Sequence, residues 1–153
     1  MVSIHSLNDQ FAAAPQLGPT DIAELKAQGV TTIINNRPDS EIGPDQATSA
    51  ENRKAAEAAG LTYYYLPMTP DTLSRHLIDA FHKALAHSDG PVVAHCTSGA
   101  RSTALWAIVQ CVHEGADIDS TLAKAKDAGY QLDNLRPVIE KHLAAHQDAD
   151  SAS

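Results

Sequence analysis

The segment at residues 92–102, VVAHCTSGARS, constrains the fold of this chain more than any other segment does. Its apolar start predicts a short buried strand, and Cys96 stands where that strand ends. Small residues follow, and Arg101 then opens an apolar helix. The first turn of a helix presents backbone N–H groups and a partial positive charge, which together attract anions. The segment therefore predicts an anion-binding loop built around a cysteine.

The side chains of this loop suit a reactive thiol. The positive field of the loop stabilises a thiolate, so we expect Cys96 to ionise below the usual thiol pKa of about 8.5. Arg101 can bind two oxygens of a tetrahedral anion at once. We expect Ser102 to hydrogen-bond the thiolate and His95 to support the loop through hydrogen bonds to its backbone. The alternative is a buried, unreactive cysteine at the end of a strand.

Strands and helices alternate along the chain around this segment. Runs rich in β-branched and aromatic residues predict strands at 30–35 and 61–66. Helices are predicted between Gly18 and Gly29, at 50–59 behind a Ser49 cap, from Thr72 or Ser74 to His87, at 120–128 and at 134–146. Three strand–helix repeats with short connections indicate a three-layer α/β fold, in which helices cover both faces of a mostly parallel sheet of about four strands.

The carboxyl edge of such a sheet is where ligands bind. Cys96 stands at that edge, and residues 35–37 and 68–71, which follow the other predicted strands, are its expected neighbours. Arg37 and Asp39 are expected to form a structural turn with a salt bridge. Contact between Arg37 and a substrate is the alternative for that residue.

The size and composition of the chain indicate one soluble domain. Its 153 residues are enough for a single core, which we place at residues 1–146, with 147–153 as a disordered tail. A formal charge of −8 argues against a nucleic-acid or anionic-membrane partner. Cys96 and Cys111 stand at opposite ends of a predicted helix, so we expect no disulfide and a cytoplasmic location. We find no apolar run of membrane-spanning length and no export signal.

Three segments carry a resemblance to a known family. They are residues 34–41 (INNRPDSE), residues 58–63 (AAGLTY) and residues 65–72 (YLPMTPDT), followed by the cysteine segment. Together they resemble the cysteine-phosphatase superfamily, particularly the small dual-specificity phosphatases. More narrowly, residues 5–112 are similar to the phosphatase-like domain of beta-lactamase-hydrolase-like proteins, whose standalone members are also labelled sulfur transferases. The resemblance implies a dual-specificity-phosphatase-like fold, with Asp71 on a loop that supplies a general acid. A helix N-cap is the other interpretation of Asp71.

The length of the loop departs from the phosphatase pattern. Phosphatases of this superfamily generally carry five residues between the cysteine and the arginine. A loop of four residues resembles that of many rhodanese-type sulfurtransferases instead. Here there are four, namely Thr97, Ser98, Gly99 and Ala100. A shorter loop offers one N–H fewer and a tighter ring, which suits the terminal sulfur of a persulfide better than a phosphoryl group.

Two chemistries follow from these residues. The loop length favours a sulfurtransferase, in which Cys96 takes sulfur from thiosulfate or a persulfide and passes it to glutathione or another thiol. The alternative is a phosphatase, in which Cys96 attacks a phosphate ester of the phosphotyrosine or small aryl class, Arg101 binds its oxygens and Asp71 protonates the leaving group. A third possibility is a loop that binds an anion or phosphopeptide without turnover.

Neither chemistry calls for a cofactor or a metal. His142 and His146 share one helix face at a spacing that can bind a metal, but no third ligand accompanies them. We therefore expect both histidines to lie on a solvated face. Cys111 is expected to be buried and inert.

Overall fold

A five-stranded sheet forms the centre of the computed structural model, which describes residues 3–41, 43–44, 46–69 and 71–151, with side chains up to residue 147. The strands are β1 (His5–Ser6), β2 (Phe11–Ala14), β3 (Thr32–Asn35), β4 (Thr62–Tyr65) and β5 (Val92–His95). They pair in the order β1-β2-β5-β3-β4. Every pairing is parallel except that of β1 with β2. The predicted α/β class with a mostly parallel sheet is confirmed.

Six α-helices surround the sheet in the described part of the chain. They are α1 (Pro19–Ala27), α2 (Ser49–Ala58), α3 (Arg75–Ala86), α4 (Ala100–Val112), α5 (Ile118–Asp127) and α6 (Arg136–Ser151). Thr48, rather than the predicted Ser49, caps α2 by accepting a hydrogen bond from the Glu51 N–H. Helix α6 runs through residues 147–151, where we predicted a disordered tail, and no glycine or proline interrupts the helix there. Residues 152–153 of that tail lie outside the described residues.

The first two strands were not predicted. Strand β2 has the sequence FAAA, which contains no β-branched residue and so carries a weak strand signal. All four of its residues are nevertheless buried, because β2 lies between β1 and β5. Tertiary pairing therefore outweighs local propensity at this position.

Two hydrophobic clusters cover the two faces of the sheet. Alternate residues of one strand point into different clusters: Ile34 joins the cluster around Phe81 and Trp106, and Ile33 joins the cluster around Leu25. Helix α4 packs against α3, α5 and α6 within the first cluster. Ten of its thirteen residues are buried, so its position relative to the sheet is closely fixed. The loop that precedes α4 is therefore attached to a helix whose position is fixed.

Candidate active site

The cysteine lies directly after β5, at the carboxyl edge of the sheet. Strand β5 is the central strand, with Ala14 of β2 and Asn35 of β3 as the register partners of its last residue, His95. Cys96 is only 1% exposed. Gly99, the N-cap of α4, has a φ of 99°, a left-handed conformation that favours glycine. The predicted strand–cysteine–loop–helix unit is thus present.

Backbone N–H groups converge on the thiol. The Gly99 N–H donates to Cys96 Sγ at 3.1 Å. Burial alone would raise the pKa of this thiol, but hydrogen bonding by four backbone N–H groups outweighs it, so the pKa lies below its usual value. Those N–H groups belong to Ser102, Ser98, Arg101 and Gly99. The loop therefore stabilises the thiolate, which is the reactive form of cysteine.

The guanidinium of Arg101 is held by a carboxylate that the sequence analysis did not single out. Nη1 and Nη2 donate to the two carboxylate oxygens of Glu41 at 3.0 and 2.7 Å. Nη1 also donates to the Met68 carbonyl at 2.9 Å, and Nη2 to Thr97 Oγ1 at 2.9 Å. The hydrogen bond from Arg101 lowers the pKa of Glu41 and raises that of Arg101, so both groups are charged at neutral pH. Glu41 thus occupies the Nη1–Nη2 end of the guanidinium, and the charge of Cys96 acts on the same guanidinium, so the arginine and the thiol are neighbours.

Arg37 shapes the turn that carries Glu41. Its side chain donates to the Glu41 carbonyl at 2.8 Å and to Gln16 Oε1 at 3.1 Å, and the residue is 8% exposed. The predicted salt bridge between Arg37 and Asp39 is wrong. Asp39 instead accepts a hydrogen bond from the Ser49 N–H at 2.9 Å, because the start of α2 offers free N–H donors to a carboxylate. These contacts place Arg37 in the turn that carries Glu41.

Ser102 differs from its predicted orientation. Its hydroxyl donates to Asn36 Oδ1 at 2.8 Å in a buried position, so its backbone N–H is the group that serves the thiol. Asn36 in turn donates from Nδ2 to the Leu66 carbonyl at 2.8 Å. The hydroxyl is drawn to Asn36 because a buried amide oxygen without a partner would be costly. The pair ties the first turn of α4 to the end of β3.

His95 is the residue that we expected to support the loop through its side chain. Within the described residues, neither ring nitrogen has a partner at full hydrogen-bonding geometry, and the Cys96 backbone is the polar loop group that acts on the ring. The ring is fully buried, and burial lowers its pKa to about 4, although the nearby Cys96 backbone acts in the opposite direction. His95 is therefore neutral at physiological pH and packs beneath the loop.

The aspartate loop lies beside the arginine. Met68, whose carbonyl accepts from Arg101, precedes the exposed Asp71 by three residues, so the Cα atoms of these two residues lie within about 11 Å of each other. Asp71 does not cap α3, because Ser74 does so by accepting from the Leu77 N–H at 3.3 Å. Residue 70, within this predicted loop, lies outside the described residues.

The remaining predicted features carry no site. In the described part of the chain, no cluster of three or more histidine, cysteine or acidic side chains is placed to bind a metal ion. His146 lies 3.1 Å from Arg75 Nη2 and packs against the ring of His113. Cys111 is buried, burial raises its pKa, and neither cysteine forms a disulfide. None of the described helices is long and apolar enough to cross a membrane.

Comparisons with known proteins place this arrangement, a buried thiol at the carboxyl end of a central parallel strand, in the cysteine-phosphatase superfamily, and the fold is that of dual-specificity phosphatases. The sequence pattern of the beta-lactamase hydrolase-like protein, phosphatase-like domain, matches residues 3–113. The chain belongs to this family, as the sequence analysis expected. Helices α5 and α6 lie beyond the matched residues.

Individual relatives agree with this assignment. The beta-lactamase hydrolase-like protein of Agrobacterium fabrum is 37% identical over 142 residues, which are 91% of this chain and 32% of the relative. The chain thus spans about a third of the length of the curated relatives it matches. A solved structure of a phosphatase candidate from Neisseria meningitidis, nma1982, has 30% identity and a TM-score of 0.79, covering 91% of this chain and 97% of that one. Pseudomonas aeruginosa TpbA in complex with pTyr shares the fold at 18% identity and a TM-score of 0.62, covering 91% of each chain.

Proposed function

We propose that this chain is a thiolate-dependent phosphatase of phosphotyrosine-like or small aryl phosphate esters. The observation that carries the proposal is the set of four backbone N–H groups around the Cys96 thiol, with the Arg101 guanidinium held beside it. A phosphoryl group develops negative charge on three oxygens as it is transferred, and such a cradle of donors stabilises that charge. The phosphatase-like family and the phosphotyrosine bound by a protein of this fold support the same chemistry.

The reaction divides into two transfers at phosphorus. The Cys96 thiolate attacks in line, an S–P bond forms, and the P–O bond to the phenol breaks. Asp71 gives its proton to the departing phenolate, and Arg101 with the loop N–H groups binds the non-bridging oxygens. Water then attacks the cysteinyl-phosphate, passes a proton to the Asp71 carboxylate, and releases inorganic phosphate and the thiolate.

Sulfur transfer is the second candidate, favoured by the four-residue loop between Cys96 and Arg101. In that reaction the thiolate attacks the outer sulfur of thiosulfate, the S–S bond breaks, and sulfite leaves. Cys96 then carries a persulfide, whose outer sulfur passes to an acceptor thiol. This route needs no general acid, since sulfite is a good leaving group, and so the role of Asp71 separates the two candidates.

Hydrolysis of p-nitrophenyl phosphate by three variants tests the proposal. We expect Cys96→Ser to abolish turnover and Asp71→Asn to lower kcat by about 10²–10⁴-fold, the usual contribution of a general acid. Cys111→Ser, which changes the buried cysteine away from the site, is the matched control and should retain activity. Full hydrolysis by Cys96→Ser would overturn the proposal, and so would hydrolysis by wild type at the rate of that variant.

A further inference from the structure

Tyr130 lies outside the residues that the family pattern matches, yet its hydroxyl reaches the cysteine loop. The residue follows α5, is 9% exposed, and donates from Oη to the Ser98 carbonyl at 3.0 Å. Its ring lies against Gly99, where an added Cβ would come within 2.2 Å of Oη and 2.9 Å of Cζ. The phenol therefore contacts one particular peptide of the loop, the one that joins Ser98 to Gly99.

The two polar groups of that peptide point in opposite directions, because a trans peptide bond is planar. The Ser98 carbonyl points to Tyr130, so the Gly99 N–H points the other way, to Cys96 Sγ at 3.1 Å. If the peptide plane turned over, a carbonyl oxygen would face the thiolate and a hydrogen bond to sulfur would be lost. Gly99, with its φ of 99°, offers little resistance to such a turn. A contact from outside the loop that fixes the Ser98 carbonyl would therefore hold the peptide plane.

We propose that Tyr130 is a positioning residue for the Cys96 thiolate, whose hydroxyl holds the Ser98–Gly99 peptide so that the Gly99 N–H points at sulfur. Burial and the negative charge of Cys96 both raise the pKa of Tyr130, so the phenol remains protonated and able to donate. The inference deepens the proposed function, since it rests on Cys96 acting as a thiolate. It also gives the C-terminal part of the chain, beyond the matched domain, a role in the site.

The pH dependence of Cys96 alkylation by iodoacetamide tests this role without any substrate. The experiment compares the protein with and without the Tyr130→Phe substitution, in a Cys111→Ser background that leaves one thiol. Tyr130→Phe keeps the ring against Gly99 and removes only the hydroxyl. We expect the alkylation midpoint to rise by about half to one pH unit, the size of one hydrogen bond's contribution. Tyr64→Phe, which removes the hydroxyl of a half-buried tyrosine on β4, is the control and should leave the alkylation midpoint unchanged.

A folded Tyr130→Phe variant with the wild-type midpoint would overturn the inference. If that variant does not fold, site-specific 3-fluorotyrosine at position 130 keeps the hydroxyl and makes it a stronger donor. The midpoint should then fall below that of wild type, and an unchanged midpoint would again overturn the inference. Because no phosphate ester is present, these results stand whether or not the chain hydrolyses one. If wild type hydrolyses no phosphate ester but Tyr130→Phe still raises the alkylation midpoint, the proposed function fails and the role of Tyr130 stands.

Discussion

At the scale of single residues, the contact between Glu41 and Arg101 determines how the arginine can meet a substrate. The carboxylate takes the Nη1–Nη2 end of the guanidinium, and Met68 and Thr97 take further hydrogen bonds from the same nitrogens. The side chain is thereby fixed before any anion arrives. A fixed guanidinium loses little conformational freedom on binding, which favours the transition state.

Glu41→Gln should therefore weaken catalysis while leaving the fold intact. The amide keeps one hydrogen-bond acceptor but loses the charge and the paired contact, so we expect kcat/KM for p-nitrophenyl phosphate to fall about tenfold, or ~1.4 kcal/mol in transition-state free energy. Steady-state kinetics measures this, with Glu57→Gln on the exposed face of α2 as the matched control. A variant as fast as wild type would show that Glu41 does not position the arginine.

Residues that touch the site from far along the chain were the hardest to predict. Glu41 is separated from Arg101 by 60 residues, and Tyr130 from Ser98 by 32. The resemblance segment contained Glu41, but nothing in its spacing indicated that its carboxylate crosses to the arginine. Tyr130 stands alone after Gly129, with no pattern around it. Such contacts depend on tertiary packing, which a local pattern does not carry.

At the scale of elements, the position of α4 relative to β3 depends on a buried pair. The hydroxyl of Ser102 donates to Asn36 Oδ1 at 2.8 Å, and Thr103 Oγ1 donates to the Gly99 carbonyl at 2.8 Å. The loop geometry is thus held from both sides of the helix start. The strand–loop–helix unit itself was predictable, because β-branched runs, small loop residues and an apolar helix follow each other without interruption.

Ser102→Ala should lower stability more than it changes the thiol. Removing the hydroxyl leaves Asn36 Oδ1 buried without its donor, which costs about 1–3 kcal/mol in free energy of unfolding. Urea denaturation measures that loss, and Ser98→Ala, at an exposed loop hydroxyl, should change stability far less. The alkylation midpoint of Cys96 should stay within a few tenths of a pH unit, because the Ser102 N–H remains. A large upward shift with unchanged stability would mean that the hydroxyl serves the thiolate directly.

At the scale of the whole molecule, stability depends on a buried neutral histidine beneath the loop. Burial lowers the pKa of His95 to about 4 from a reference of 6.5, so between those values the unfolded chain binds a proton that the native protein does not. Stability therefore falls as pH decreases through this window. His82 and His142, whose pKa values burial also lowers, act in the same direction.

Urea denaturation at pH 7 and pH 5 measures this dependence. For His95 alone the two pKa values give a loss of about 2 kcal/mol in free energy of unfolding between these pH values. A folded His95→Gln variant should lose less stability over the same interval, since glutamine binds no proton. An equal loss in wild type and variant would assign the dependence to other groups. Glu41, whose pKa Arg101 lowers from a reference of 4.5, is mostly ionised at both pH values in the folded and the unfolded chain, so its ion pair contributes little to this loss.

The fold class could be predicted because three strand–helix repeats and short connections leave few arrangements of a parallel sheet. The strands that lack β-branched residues, β1 and β2, could not, since only their pairing in the sheet stabilises them. The sequence also indicated the cysteine, the loop and the arginine, because these residues are contiguous along the chain. Loop length favoured sulfur transfer, whereas the family and the fold favour phosphatase chemistry.

Rapid-quench intact-mass spectrometry distinguishes the two chemistries at the sulfur atom itself. During turnover of p-nitrophenyl phosphate, we expect a phosphoryl group on wild type and on Cys111→Ser, and none on Cys96→Ser. The same proteins exposed to thiosulfate should gain no sulfur. A sulfur adduct on Cys96 that glutathione removes, without a phosphoryl adduct, would contradict the phosphatase proposal and establish sulfur transfer.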